Sequence, residues 1–157
     1  MARPRRPGKH RRVREAPTAE YAASPGRHLT GVLYDSDVII EILRGRTPVV
    51  RAAGSLERRG VPTFCTAIAS AEIHAGLRAG EERATDAFFE ARGDVVLDAS
   101  VGRRAGGFMN RFGRSHGVEL ADALVAAAAV GAGLHLWTLN RKHYPMPDVD
   151  KLGEGDF

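Results

Sequence analysis

The sequence predicts an α/β fold, a central parallel sheet with helices on both faces. Two observations predict it. Short apolar runs suited to buried strands recur along the chain, and each is followed by a longer stretch whose apolar residues repeat at helical spacing. Strands that alternate with helices make parallel sheets, whose faces the crossover helices cover.

Taken in order, "GVLY" (31–34) is the first strand and "DVIIEIL" (37–43) a short helix. "TPVVRAAGSLERRG" (47–60) is a second helix with Pro48 in its first turn, where a missing N–H costs nothing. "VPTFC" (61–65) is the second strand, after which Thr66 is placed to cap a helix carrying Ile68, Glu72 and Gly76 along one face. An amphipathic segment runs from Glu81 to Arg92, and "DVVLD" (94–98) is the third strand. Val101, Ala105, Phe108 and Phe112 then repeat at helical spacing, with Arg103, Arg104, Arg111 and Arg114 largely on other faces, until "SHG" (115–117) stops the helix. An Ala-rich helix from Leu120 ends at Gly133, and "LHLWTL" (134–139) is the last strand.

At 157 residues the chain is one domain of ordinary size, long enough to hide about 70% of its unfolded surface. Its 6% aromatic content predicts a core of aliphatic residues and Ala. The single cysteine, Cys65, forms no internal disulfide; its apolar setting predicts a buried thiol in a reducing cytoplasm, without the basic neighbour that would make it a nucleophile. The run from Leu120 to Trp137 is 18 residues long, but Asp122, His135, Gly131 and Gly133 lie within it. It therefore divides into a core helix and a strand, and no membrane span is expected.

Charge is unevenly distributed. Residues 1–30 hold eight Lys/Arg, two Asp/Glu and four of the eight prolines, for a net +6, whereas residues 31–157 are slightly acidic at net −2. With almost no large aliphatics, residues 1–30 are expected to form a disordered basic arm, and residues 31–157 the single folded domain. The arm is open to two readings, a phosphate-touching nucleic-acid contact or a start-site extension. No apolar segment follows its arginines, so it does not read as a secretory signal.

The chemistry is carried by acids. In an open parallel sheet, ligands bind beyond the carboxyl ends of the strands. Asp35 ends the first strand, Glu72 lies early in the helix after the second, Asp122 early in the helix before the fourth, and Asn140 just past the fourth. All four are expected at one sheet edge. Crowded carboxylates repel unless a cation joins them, and hard oxygen donors suit Mg²⁺ or Mn²⁺. Each has a plainer alternative: Glu72 as a solvent-facing helix residue, Asp122 as a cap. Asp37 is read as the cap of the first helix and Glu119 as an exposed first-turn acid. His74, His116, His135 and His143 lack metal-ligand spacing and read as ordinary polar residues, and no G-x-S-x-G surrounds Ser36.

"LYDSDVIIEILRG", "TAIASAEIHAGL" and "ELADALVAAAAVGAGLHLWTLNRKHYPM", in that order, resemble the successive blocks of PIN-domain ribonucleases, and specifically the VapC-type toxins of toxin–antitoxin pairs. The likeness spans about residues 32 to 148. The resemblance implies a three-layer α/β PIN-like fold with a central parallel sheet flanked by helices, an Mg²⁺- or Mn²⁺-dependent endoribonuclease activity on RNA, a homodimer, and a cognate antitoxin that blocks the site. By position, Asp35, Glu72 and Asp122 match the family's acids, with Asn140 in the region of the fourth, so a neutral oxygen stands where a charge would bind a metal. Lys142 and His143 fall near the substrate phosphate by the same comparison. Since the folded part is slightly acidic, RNA phosphates must be met locally, and Arg44, Arg46, Arg78 and Arg141 are the candidates, each also readable as solvated surface. Two other functions fit less of the chain. A non-catalytic PIN-like module that docks RNA or protein would leave the acids without purpose. A haloacid-dehalogenase-like phosphatase would use Asp35 as nucleophile and Asp37 as acid, but it needs a later Lys and a paired-Asp motif; past the arm the lysines are Lys142 and Lys151, and no "DD" occurs.

Overall fold

The computed structural model describes residues 28–157. The basic arm therefore falls almost wholly outside the described residues. Of its last three positions, Leu29 is buried and the Thr30 hydroxyl donates to the Gly133 carbonyl, so packing reaches slightly upstream of the expected boundary at residue 31.

Four strands form one parallel sheet in the order β3-β2-β1-β4: β1 (Val32–Tyr34), β2 (Thr63–Thr66), β3 (Gly93–Val95) and β4 (His135–Trp137). Six α-helices join them: α1 (Ser36–Leu43), α2 (Thr47–Arg58), α3 (Ala67–Ala75), α4 (Glu82–Glu90), α5 (Ala99–His116) and α6 (Leu120–Ala132). The register sets Leu33 beside Phe64 on one side and Leu136 on the other. Because side chains alternate along a strand, these three face one layer, while Val32, Tyr34, Cys65 and Trp137 face the other. The first layer packs against α5 and α6, the second against α1 to α4. This is the three-layer arrangement that the sequence predicts.

Ends of elements follow local chemistry. Thr66 caps α3, its hydroxyl accepting from the Ala69 N–H at 3.3 Å. Gly133 ends α6 at a φ of 64°, a left-handed conformation that favours glycine. Strand β3 is shorter than expected and ends at Val95, since Asp98 accepts from the Ser100 and Val101 N–H groups and so begins α5. Gly93 has a packing reason: a Cβ there would lie 2.6 Å from the Phe64 ring. Among the described residues no helix is long and apolar enough to cross a membrane.

Chain order runs outward from β1 through β2 to β3, then returns to β4 on the other side of β1. The carboxyl ends of β1 and β4 thus flank the point where the order reverses, the usual place for a site in such a sheet.

Candidate active site

Strand β1 is fully buried and delivers Asp35 to that point. The Asp35 N–H donates to the Trp137 carbonyl at 3.0 Å, the last rung between β1 and β4. Both carboxylate oxygens are held. One accepts from the Ser36 N–H at 2.9 Å, which makes Asp35 the cap of α1, and the other accepts from the Tyr144 hydroxyl at 2.8 Å. At 9% exposure, Asp35 has its pKa raised to about 6, mainly by burial and then by the charge of Asp37; the bonds from Tyr144, Thr138 and Ser36 pull the other way.

The capping role expected of Asp37 is therefore overturned. Asp35 already occupies the cap, and the 138–139 segment leaving β4 brings other donors to Asp37. One Asp37 oxygen accepts from the Leu139 N–H at 3.0 Å and from the Thr138 hydroxyl at 3.3 Å, tying the end of β4 to the start of α1. The other is buried and has no hydrogen-bond partner among the described residues.

Asp122 lies half-buried in the first turn of α6, with its carboxylate 3.5 Å from the His143 ring nitrogen Nδ1. Its pKa is raised, first by burial and further by Glu119 and Glu72, against the pull of His143 and the Glu119 N–H. Glu119, at the helix cap position, is exposed and makes no side-chain cap bond. Asn140 precedes a short 3-10 turn, Arg141–His143; its side-chain nitrogen lies 3.0 Å from His143 Nε2, and its N–H donates to the Thr138 hydroxyl. Hence His143, which by spacing alone is an ordinary polar residue, bridges Asn140 and Asp122.

One cleft of about 160 Å³ is lined by Asp35, Asp37, Glu72, Asp122, Asn140 and His143. All four residues expected at one sheet edge thus meet there, together with Asp37. Glu72 is exposed on α3 and has no hydrogen-bond or ion-pair partner among the described residues. It also lines an adjoining groove of about 410 Å³ that contains Arg44 and Arg78. The remaining basic candidates stand differently. Arg46 is paired with Glu41 at 2.9 Å, and Arg44 approaches the same carboxylate at 3.5 Å. Lys142 does not line the cleft, and Arg141 turns to the Leu152 carbonyl in a separate groove under α2.

Two contributors escape sequence reasoning. Thr138 joins Asp37 to Asn140, and buried Tyr144 orients Asp35. Tyr144 and Met146, both buried after the charged run "NRKH", left a weak period-two signal.

The donor set suits a hard divalent cation: carboxylates crowd one cleft, and the Asp37 oxygen there is buried without a partner. Among the described residues no three His, Cys, Asp or Glu side chains are grouped at ligating distance. The acids line the walls of the cleft instead.

The chain matches the PIN domain family over residues 32–151. It is 37% identical over 118 residues to Ribonuclease VapC10 of Mycobacterium tuberculosis, an alignment covering 73% of this chain and 86% of that protein. With Ribonuclease VapC19 of the same organism it shares 30% identity over 119 residues, 74% of this chain and 95% of the other. Among solved structures it resembles VapBC2 from Rickettsia felis bound to a promoter DNA fragment, with a TM-score of 0.66, 16% identity and coverage of 77% and 96% of the two chains. A toxin-antitoxin complex from Klebsiella pneumoniae matches with a TM-score of 0.64 and 19% identity, covering 76% of this chain and 95% of that one. At such identities the structural likeness concerns the fold.

Proposed function

The chain belongs to the PIN-domain family, in its VapC ribonuclease branch, and we propose from that premise that it is a divalent-metal-dependent endoribonuclease acting as the toxin of a toxin–antitoxin pair. The observation that carries this reading is the convergence of Asp35, Asp37, Glu72 and Asp122 in one cleft at the carboxyl ends of β1 and β4.

Asp35 and Asp122 would hold the cation, with Glu72 and Asn140 as further oxygen donors. Bound there, Mg²⁺ or Mn²⁺ would supply Lewis acidity to a phosphate oxygen and lower the pKa of the attacking water. The protein's own residues do the rest. Tyr144 and the Ser36 N–H fix the orientation of Asp35, and Asp37 locks the 138–140 segment so that Asn140 and His143 face Asp122. Glu72, exposed and unpaired among the described residues, would share its carboxylate between the cation and the proton of the attacking water. Arg44 and Arg78, which line the same groove as Glu72, are placed to meet RNA phosphates. No covalent intermediate on the protein is required.

A cognate antitoxin as partner is supported by the toxin-antitoxin assemblies among the solved relatives, and we place the pair in the cytoplasm, where buried Cys65 stays reduced. A homodimer belongs to the same proposal. The non-catalytic module is disfavoured by the crowding of Asp35, Asp37, Glu72 and Asp122 in one cleft, a mutual repulsion without return unless a cation is to be bound.

Replacing Asp122 tests the chemistry. Asp122→Asn keeps the size of the side chain and removes its charge, so RNA cleavage should fall at least a hundredfold while circular dichroism stays unchanged. Undiminished cleavage by the folded variant would remove Asp122 from the mechanism.

A further inference from the structure

The groove under α2 has no part in the chemistry above. It encloses about 690 Å³ between one face of α2 and the chain beyond β4. Arg51, Ser55 and Arg58 recur at helical spacing on that face, and Arg141, Leu152 and Phe157 stand opposite. Three arginines thus line it with one acidic side chain, Glu154, while Asp156 turns its carboxylate to the Gly153 N–H. In a folded part with net charge −2, this is a local concentration of positive charge. Arg141 is committed to the Leu152 carbonyl. The side chains of Arg51 and Arg58 make no ion pair or hydrogen bond among the described residues, although both residues line the groove.

The groove also lies next to the acid cleft. Thr138 and Leu139 line the groove, and the same two residues donate to Asp37, which lines the cleft. Resting on the ribonuclease reading, we infer that the groove is an RNA-binding exosite: the strand flanking the scissile bond crosses Thr138–Leu139 and lays its phosphates against Arg51 and Arg58. These residues are seven apart on α2, about 10 Å along its axis, close to the rise of about three stacked nucleotides, so the two guanidinium groups meet different phosphates of one strand. The groove thereby favours RNAs long enough to span both sites, and adds affinity without reading bases.

The test compares Arg51→Ala/Arg58→Ala with the Arg51→Lys/Arg58→Lys control, both in an Asp122→Asn background that keeps RNA whole. The probes are single-stranded oligoribonucleotides of about 12 and about 4 nucleotides, read by fluorescence anisotropy over a range of salt. The alanine pair should bind the longer probe about tenfold more weakly, with its salt slope smaller by about 1.4, and the lysine pair should restore both. The short probe, which reaches only the cleft, should be unaffected. Unchanged affinity and slope for the long probe would overturn the exosite while leaving the ribonuclease reading intact. Loss of poly-glutamate binding with RNA affinity retained would overturn it in favour of an acidic protein segment. A parent chain that neither cuts nor binds either RNA would overturn the exosite together with the reading beneath it.

Discussion

Asp35 carries the largest cost in the site. Burial and the neighbouring Asp37 raise its pKa to about 6 in the folded chain, against about 4 when unfolded. The folded state therefore binds an extra proton between those values. The stability this provides is complete below about pH 4 and is lost as pH rises through 6, a difference of about 3 kcal/mol. In EDTA, the protein should melt at a higher temperature at pH 5 than at pH 7.5, and Asp35→Asn should abolish most of that difference; a flat profile for the parent would show that Asp35 is not suppressed. Tyr144 acts in the opposite sense, since its hydroxyl favours the ionised carboxylate. Tyr144→Phe should move the acid limb of the cleavage profile to higher pH and lower the rate at pH 6 about tenfold, with the deficit narrowing by pH 8. A uniform deficit across pH would instead assign Tyr144 to packing.

The elements were legible where one physical cause dominated. The Thr66 cap, the Gly133 stop and the apolar spacing of α5 each had one, and each element formed as its sequence predicts. Boundaries moved where two roles competed for one residue, as at Asp98, which reads as the end of a strand but caps a helix. The capping error at Asp37 is of the same kind. A carboxylate at a helix start is a cap by local rules, and only the parallel placement of β4 beside β1 reveals donors 101 and 102 residues away. Tyr144 was hidden for a related reason, because its partner Asp35 is 109 residues distant. Thr66 allows a test at this scale. Thr66→Val keeps the buried volume but leaves the start of α3 uncapped, so stability should drop by about 1 kcal/mol in chemical denaturation. Cleavage should fall more than that loss accounts for, since α3 carries Glu72; activity falling only in step with the folded fraction would argue that the position of Glu72 is not critical.

In the molecule as a whole, charge and topology point to one division of labour. The sheet order brings acids from α1, α3 and α6 into a single cleft, and five arginines line the two grooves next to it. A slightly acidic protein can hold RNA this way because phosphate contacts act within about a Debye length, roughly 8 Å at physiological salt, and net charge matters little beyond it. The three acids and the asparagine were visible in the sequence since strand ends are predictable from the alternation of elements. The groove under α2 was not, because its two walls lie some 80 residues apart in the chain.

The central claim is that this acid cleft cuts RNA with the help of a divalent cation. The most direct measurement incubates the purified chain, free of any antitoxin, with labelled structured RNAs in Mg²⁺, in Mn²⁺ and in EDTA. Discrete internal cuts with either metal, absent in EDTA and restored when metal is added back, are the predicted result. Equal cutting in EDTA by the folded protein, or none with either metal across a broad RNA pool, would contradict it.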